Sequence, residues 1–164
     1  MVEMKVFGLA LDEESQAPVL ILKDLEEKTV LPIWIGTMEA MAISLALNGV
    51  QLPRPMTHDL LLSVLKACDA KVIAVDVVGF KKGTYFAEIE VEQNGQNKRI
   101  DCRPSDGIAL ALLAEARILV SEEVLCQVTI EQPMKTQPAL KIEDAEQWTE
   151  LLEKLNVDST KYKM

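Results

Sequence analysis

Two short segments carry the side chains best suited to chemistry. Arg54-Pro55-Met56-Thr57-His58-Asp59 and Arg103-Pro104-Ser105-Asp106 each place an Arg-Pro before a hydroxyl residue and an Asp, and each runs into an apolar stretch. Within one helical turn this gathers a guanidinium, a carboxylate and the free N–H groups of a helix start. The fork and the helix end favour an anion, and the carboxylate can hold a divalent cation or orient water, a combination that suits phosphate chemistry. His58, the single histidine, lies between the hydroxyl residue and the carboxylate, where an imidazole can take or give a proton near neutral pH. Glu39 is a third carboxylate of interest, because it interrupts an apolar run just after Trp34-Ile35-Gly36. A charge there is either a first-turn residue facing the helix dipole or part of a site.

The same residues have an ordinary reading as well. Pro early in a helix, Thr or Ser at the cap and Asp in the first turn are common helix starts. Arg54 and Arg103 can also pair with Asp106 and Asp59 across the fold in a purely structural network. Recurrence of the pattern, with Arg, His and Asp together in one copy, favours a site. Trp34 is expected to anchor the core from a strand, and Cys68 to sit inert on an apolar helix face. Gly36, Ala40 and Ser44, four residues apart, are expected to allow close packing and nothing more.

The elements that must position these groups follow from periodicity. Met4 to Leu9, Val19 to Leu22 and Val30 to Ile35 read as three strands, the last two a hairpin. Thr37 to Asn48 reads as a helix apolar nearly all round, to be buried in the core or in a subunit interface. Thr57 is expected to cap a helix running to about Asp69, with Leu60, Leu61, Val64, Leu65 and Cys68 on one broad face. Strands follow at Lys71 to Val78 and Thr84 to Glu92, and Asn94-Gly95 signals a type I′ turn into a return strand from Asn97 to Cys102. Pro104 and Ser105 open an apolar helix reaching about Ala116, then come a short strand at Ile118 to Val120 and a helix from Ser121 to about Gln127. The fold expected is α+β: a mixed, largely antiparallel sheet packed with three to four apolar helices. It occupies residues 1–131, and residues 132–164 form a polar connector and an amphipathic helix with Trp148, Leu151, Leu152 and Leu155 on one face.

Composition narrows the function. The 164 residues are 49% hydrophobic, with 17 Lys and Arg against 26 Asp and Glu and a net charge of −9, and the mean hydropathy is +0.11. That suits one folded domain and works against broad electrostatic capture of nucleic acid, so any such contact is local. Cys68, Cys102 and Cys126 are too few and too scattered for a disulfide scaffold or a zinc site. No leader-like start or long apolar run is present, so a cytoplasmic protein without membrane attachment is expected. No Gly-rich phosphate loop, dinucleotide fingerprint, nucleophile elbow or H-E-x-x-H occurs.

Three colinear motifs, Leu31-Pro32-Ile33-Trp34-Ile35-Gly36 with Glu39-Ala40, Arg54 to Leu61 and Arg103 to Leu110, resemble the bifunctional nuclease (BFN) domain family over roughly residues 1–130. The resemblance implies a compact α/β domain that tends to form homo-oligomers and cleaves both DNA and RNA. The site it implies draws on Glu39, Arg54, His58, Asp59, Arg103, Ser105 and Asp106. Many members carry Ala after the third-motif Asp, where this chain has Gly107, a change expected to weaken the helix start slightly. Combined with the residue chemistry, the leading expectation is a metal-assisted phosphodiesterase. Asp59 and Asp106, with Glu39, would hold a divalent cation (Mg²⁺ or Mn²⁺), His58 would move a proton, and Arg54, Arg103 and Ser105 would bind substrate. The alternative is a noncatalytic oligomeric binding or regulatory module whose Arg and Asp segments are structural or hold an anionic ligand.

Overall fold

The computed structural model describes residues 1–12, 15–131 and 140–141. It opens with an antiparallel meander, β1 (Val2–Leu11), β2 (Pro18–Asp24) and β3 (Val30–Trp34), as the alternation predicts. The β2–β3 turn is fixed by the Asp24 carboxylate, which accepts the N–H groups of Lys28 (2.7 Å) and Thr29 (3.1 Å). Helices α1 (Thr37–Leu47) and α2 (Thr57–Ala67) follow. A second meander then comprises β4 (Ala70–Lys81), β5 (Thr84–Gln93) and β6 (Gln96–Cys102). Its β5–β6 turn has Asn94 and Gly95 at φ 54° and 74°, the left-handed pair that a type I′ hairpin requires.

Helix α3 (Pro104–Ala114) leads into β7 (Arg117–Val120), α4 (Glu122–Glu131) and the short β8 (Leu140–Lys141). Strand β7 joins the two meanders, pairing antiparallel with β1 and parallel with β4, so the order is β3-β2-β1-β7-β4-β5-β6. The β4–β7 pair makes the sheet mixed, and the α+β class is as expected. Strand β8 pairs with Gly8 and Leu9 of β1, which brings part of the expected connector onto the sheet. The amphipathic helix expected around Trp148 lies outside the described residues. Among the described residues no helix is long and apolar enough to cross a membrane.

Helix α3 is the buried centre. Ser105, Gly107, Ile108, Ala109, Leu110 and Ala111 are all buried, which its nearly continuous apolar sequence requires. A left-handed Glu115 (φ 54°) ends it, with the Ala116 N–H on the Ala111 carbonyl at 2.9 Å. The Tyr85 hydroxyl donates to the Pro32 carbonyl at 2.8 Å. That bond spans strands β5 and β3, which are far apart in the sheet order, so the sheet curls until its flanks meet. Gly107 is fixed by close approach: a Cβ there would stand 2.8 Å from Val75 Cγ1 and 3.0 Å from Cys102 Sγ. The glycine thus has a packing role beside its effect on the helix start.

Helix α1 buries only Ala40 and Ile43 and leaves Met38 exposed, and α2 buries no residue fully. Leu60, Leu61, Val64 and Cys68 are exposed, so the broad apolar face expected of α2 points largely away from this core, and of its members Leu65 packs against the core, together with Leu62. Trp34 is 40% exposed, which corrects the expectation of a core anchor: it sits at the last position of edge strand β3.

Candidate functional site

The first turns of α1, α2 and α3 converge, and the side chains that meet there come from all three. The caps of α2 and α3 are not the hydroxyl residues expected. Met56, not Thr57, is the N-cap of α2, Arg103 caps α3, and Gly36 caps α1 with no side-chain hydrogen bond. Counting from those caps, Glu39, Asp59 and Asp106 are each the third helical residue, where a carboxylate faces the unpaired N–H groups and the positive end of the dipole.

The three carboxylates do different work. Asp59 accepts the Met56 N–H at 3.0 Å, the reach-back half of a capping box. Asp106 holds its own cap residue side-on: Arg103 Nε donates to Oδ2 at 2.5 Å and Nη2 to Oδ1 at 2.9 Å. Glu39 reaches the same guanidinium from α1, with Arg103 Nη1 donating to Oε1 at 2.8 Å. His58 Nε2 stands 3.3 Å from Asp106 Oδ1. Asp106 is thus the hub, contacted by Arg103 along one edge and by His58 from the neighbouring helix.

Burial alone would raise the Asp106 pKa, but the Arg103 guanidinium and His58 outweigh it and hold the carboxyl below its ordinary value. The Arg103 pKa is raised by Asp106 first and Glu39 second. The Arg103 side chain is 65% exposed while Glu39 and His58 are mostly covered, so the guanidinium is the open element of the cluster. Three of its five N–H bonds are used, which leaves two for an incoming oxyanion. An ionised Asp106 carboxylate can only accept, so the contact suits the His58 tautomer protonated at Nε2, and in that tautomer Nδ1 is the nitrogen able to take a proton.

Four of the seven residues singled out in the sequence, Glu39, His58, Arg103 and Asp106, are therefore brought together. Arg54 is exposed two residues before the α2 cap and makes no ion pair with a described residue. Ser105 is buried in the first turn of α3, and no hydrogen bond ties its hydroxyl to the cluster. The expected cation pair, Asp59 and Asp106, does not fit the donors as they stand. Asp59 is turned to backbone, both Asp106 oxygens are held by Arg103, and among the described residues no three His, Cys, Asp or Glu side chains gather as ligands.

One charged cluster was not visible in the sequence. Asp76 of β4 is buried, its Oδ2 accepting from Arg99 Nη1 at 2.8 Å, and Arg99 also reaches Glu88 at 3.2 Å. Alternation in β4 gave no warning of a buried acid among Val75, Val77 and Val78. Its only signal is the cross-strand register, Asp76 opposite Glu88 and Glu90 opposite Arg99.

A family model described as a bifunctional nuclease domain matches residues 20–133. An uncharacterized protein of Mycobacterium tuberculosis strain CDC 1551 is 33% identical over 165 residues, which cover 98% of this chain and 99% of the relative. An uncharacterized protein of Mycobacterium tuberculosis strain H37Rv matches to the same extent. The family match spans most of the chain and takes in all three helix starts of the cluster, and on that ground the chain belongs to the bifunctional nuclease domain family.

Proposed function

We propose that this chain hydrolyses phosphodiester bonds of DNA and RNA at the cluster of His58, Asp106 and Arg103. The observation that carries the reading is Asp106 joined at once to an exposed guanidinium and to an imidazole with one free nitrogen. In the reaction, a water oxygen attacks phosphorus while His58 Nδ1 takes its proton. The bond to the leaving oxygen breaks, that oxygen takes a proton from solvent, and His58 Nδ1 gives its own proton back to solvent. Asp106 holds the imidazole in the tautomer that leaves Nδ1 free and stabilises its charged form. The two remaining N–H bonds of Arg103 meet the charge that grows on the phosphoryl oxygens. Arg54, which makes no ion pair with a described residue and lies upstream of His58, suits a flanking phosphate of the same strand. The donors of the described residues do not form a cation cage, so His58 alone is assigned the activation of the water.

The test is cleavage of single-stranded DNA and RNA by purified wild type, His58→Ala and Asp106→Asn, each with Mg²⁺, Mn²⁺ or EDTA. Activity that follows the protein peak and is lost in both variants supports the assignment, and its response to EDTA decides the metal. Unchanged activity in the variants, or none in wild type, overturns it in favour of a noncatalytic oligomeric module.

Assembly and location belong to the same proposal. A second copy of this chain is assigned to the exposed α2 face: antiparallel docking of two such helices sets the acidic first turn of one against Lys66 in the last turn of the other. Light scattering on a Leu60→Glu, Val64→Glu double variant should then show a monomer where wild type shows an oligomer. The cytoplasmic location read from the sequence is checked by cell fractionation.

A further inference from the structure

We infer that Gly36 is a positioning residue: its missing Cβ leaves the room in which the Glu39 carboxylate lies, and that carboxylate aims the Arg103 guanidinium. The backbone gives no other reason for a glycine. Gly36 has φ −78° and ψ 164°, an extended conformation open to any L-residue. It also occupies an N-cap, where Ser, Thr, Asn or Asp is favoured, and no side chain caps α1 in its place. A Cβ at this position would overlap Glu39 Oε2 outright and stand 3.2 Å from Cδ. The carboxylate is folded back over its own cap, with Oε2 against Gly36 and Oε1 on Arg103 Nη1 at 2.8 Å.

Arg103 needs this second hold. Asp106 grips the guanidinium along a single edge and from the same helix, and the side chain is 65% exposed. A contact from a different helix at Nη1 fixes the plane about that edge, and so fixes where the two unused N–H bonds point. Glu39 then acts through Arg103. The four-residue spacing of Gly36, Ala40 and Ser44, expected to admit another backbone, instead admits a carboxylate at its first member.

The inference rests on the proposed nuclease activity for one of its readouts only. Gly36→Ser is the decisive variant, because serine is a favoured N-cap and yet carries the Cβ. Glu39→Ala and the double variant complete a cycle, and each is followed by melting temperature, by ¹⁵N spectra of the arginine side chains and by nuclease kinetics. Expected for Gly36→Ser is a melting temperature at or above wild type, with the Arg103 Nη signals averaged as they are in Glu39→Ala. No further change should occur when the two are combined. The kcat should fall about ten- to hundredfold, the scale on which a misplaced transition-state contact is felt. Arg103 signals unaltered by Gly36→Ser overturn the inference. So does a loss of stability as large in the Glu39→Ala background as in wild type, which assigns the glycine to packing. If wild type cleaves nothing, the nuclease reading fails while the Arg103 spectra still decide the role of Gly36.

Discussion

Replacing Gly107 by Ala sets two effects of opposite sign against each other. Helix propensity alone favours the change by about 0.8–1 kcal/mol, because Gly107 lies inside α3 and alanine restricts the unfolded chain. Packing opposes it. The new methyl would lie 2.8 Å from Val75 Cγ1 and 3.0 Å from Cys102 Sγ, and Val75 is fully buried in a central strand with no freedom to retreat. Inserting a methyl into such a site costs about 1–3 kcal/mol. Taking the middle of that range, the variant is destabilised by about 1 kcal/mol, or about 2–4 °C in melting temperature for a chain of this size. Thermal and urea melts of wild type and Gly107→Ala measure this directly. A second variant, Gly107→Ala with Val75→Ala, removes the obstructing methyls, so the pair should be less destabilised than the sum of the singles by about 0.5–3 kcal/mol. A melting temperature raised by Gly107→Ala, or strictly additive losses, would refute the claim that contact with Val75 selects glycine here.

Three further outcomes follow from the charged and sulfur groups. Asp106 has its pKa lowered by folding, so its contribution to stability is complete above the ordinary aspartate value and is lost as the pH falls through the depressed one. Carboxyl ¹³C titration should place its midpoint below a normal aspartate, and Arg103→Gln should raise it. Arg99→Leu leaves the buried Asp76 without its bonded partner and should cost about 1–3 kcal/mol in urea melts, most of it recovered by adding Asp76→Val, since an apolar pair replaces a half-broken ionic one. Burial, with Asp101 second and Asp106 third, pushes the Cys102 thiol up to about 11, so iodoacetamide at neutral pH should label the exposed Cys68 and Cys126 well before it.

Elements were legible in the sequence wherever the signal was local. Strand alternation, the Asn94-Gly95 turn and Ser121 ahead of α4, where its Oγ accepts the Glu123 N–H at 3.2 Å, all depend on neighbours within a few residues. The candidate site was legible only in part, because it is assembled from three segments and its residues are chosen by where helices cross. Two Arg-Pro-Asp segments look alike in sequence, yet Arg103 is drawn into the cluster while Arg54 is not, and Asp59 is spent on the backbone N–H of its cap residue while Asp106 holds the side chains of Arg103 and His58. What decides this is that α3 is buried between α1, α2 and the sheet, whereas the residues ahead of α2 are surface. Trp34 was misread, and the packing role of Gly107 unforeseen, for the same reason: exposure at a sheet edge and a 2.8 Å approach by Val75 are tertiary facts.

The place of β7 governs how this chain can be made. It pairs Val2 with Val120 on one side and Val75 with Ile118 on the other, so the middle of the sheet is among the last parts of the domain to leave the ribosome. A nascent chain that ends before residue 117 holds two separate meanders with a gap between them, each with an open edge and unpaired backbone groups. The search that closes this gap joins residues more than a hundred positions apart, which makes late steps slow and leaves the intermediates prone to association. Splitting the gene in the loop between α2 and β4 would therefore give two halves that must join along one free edge of β7. Only the fragment that contains β7 could seed complementation by the other.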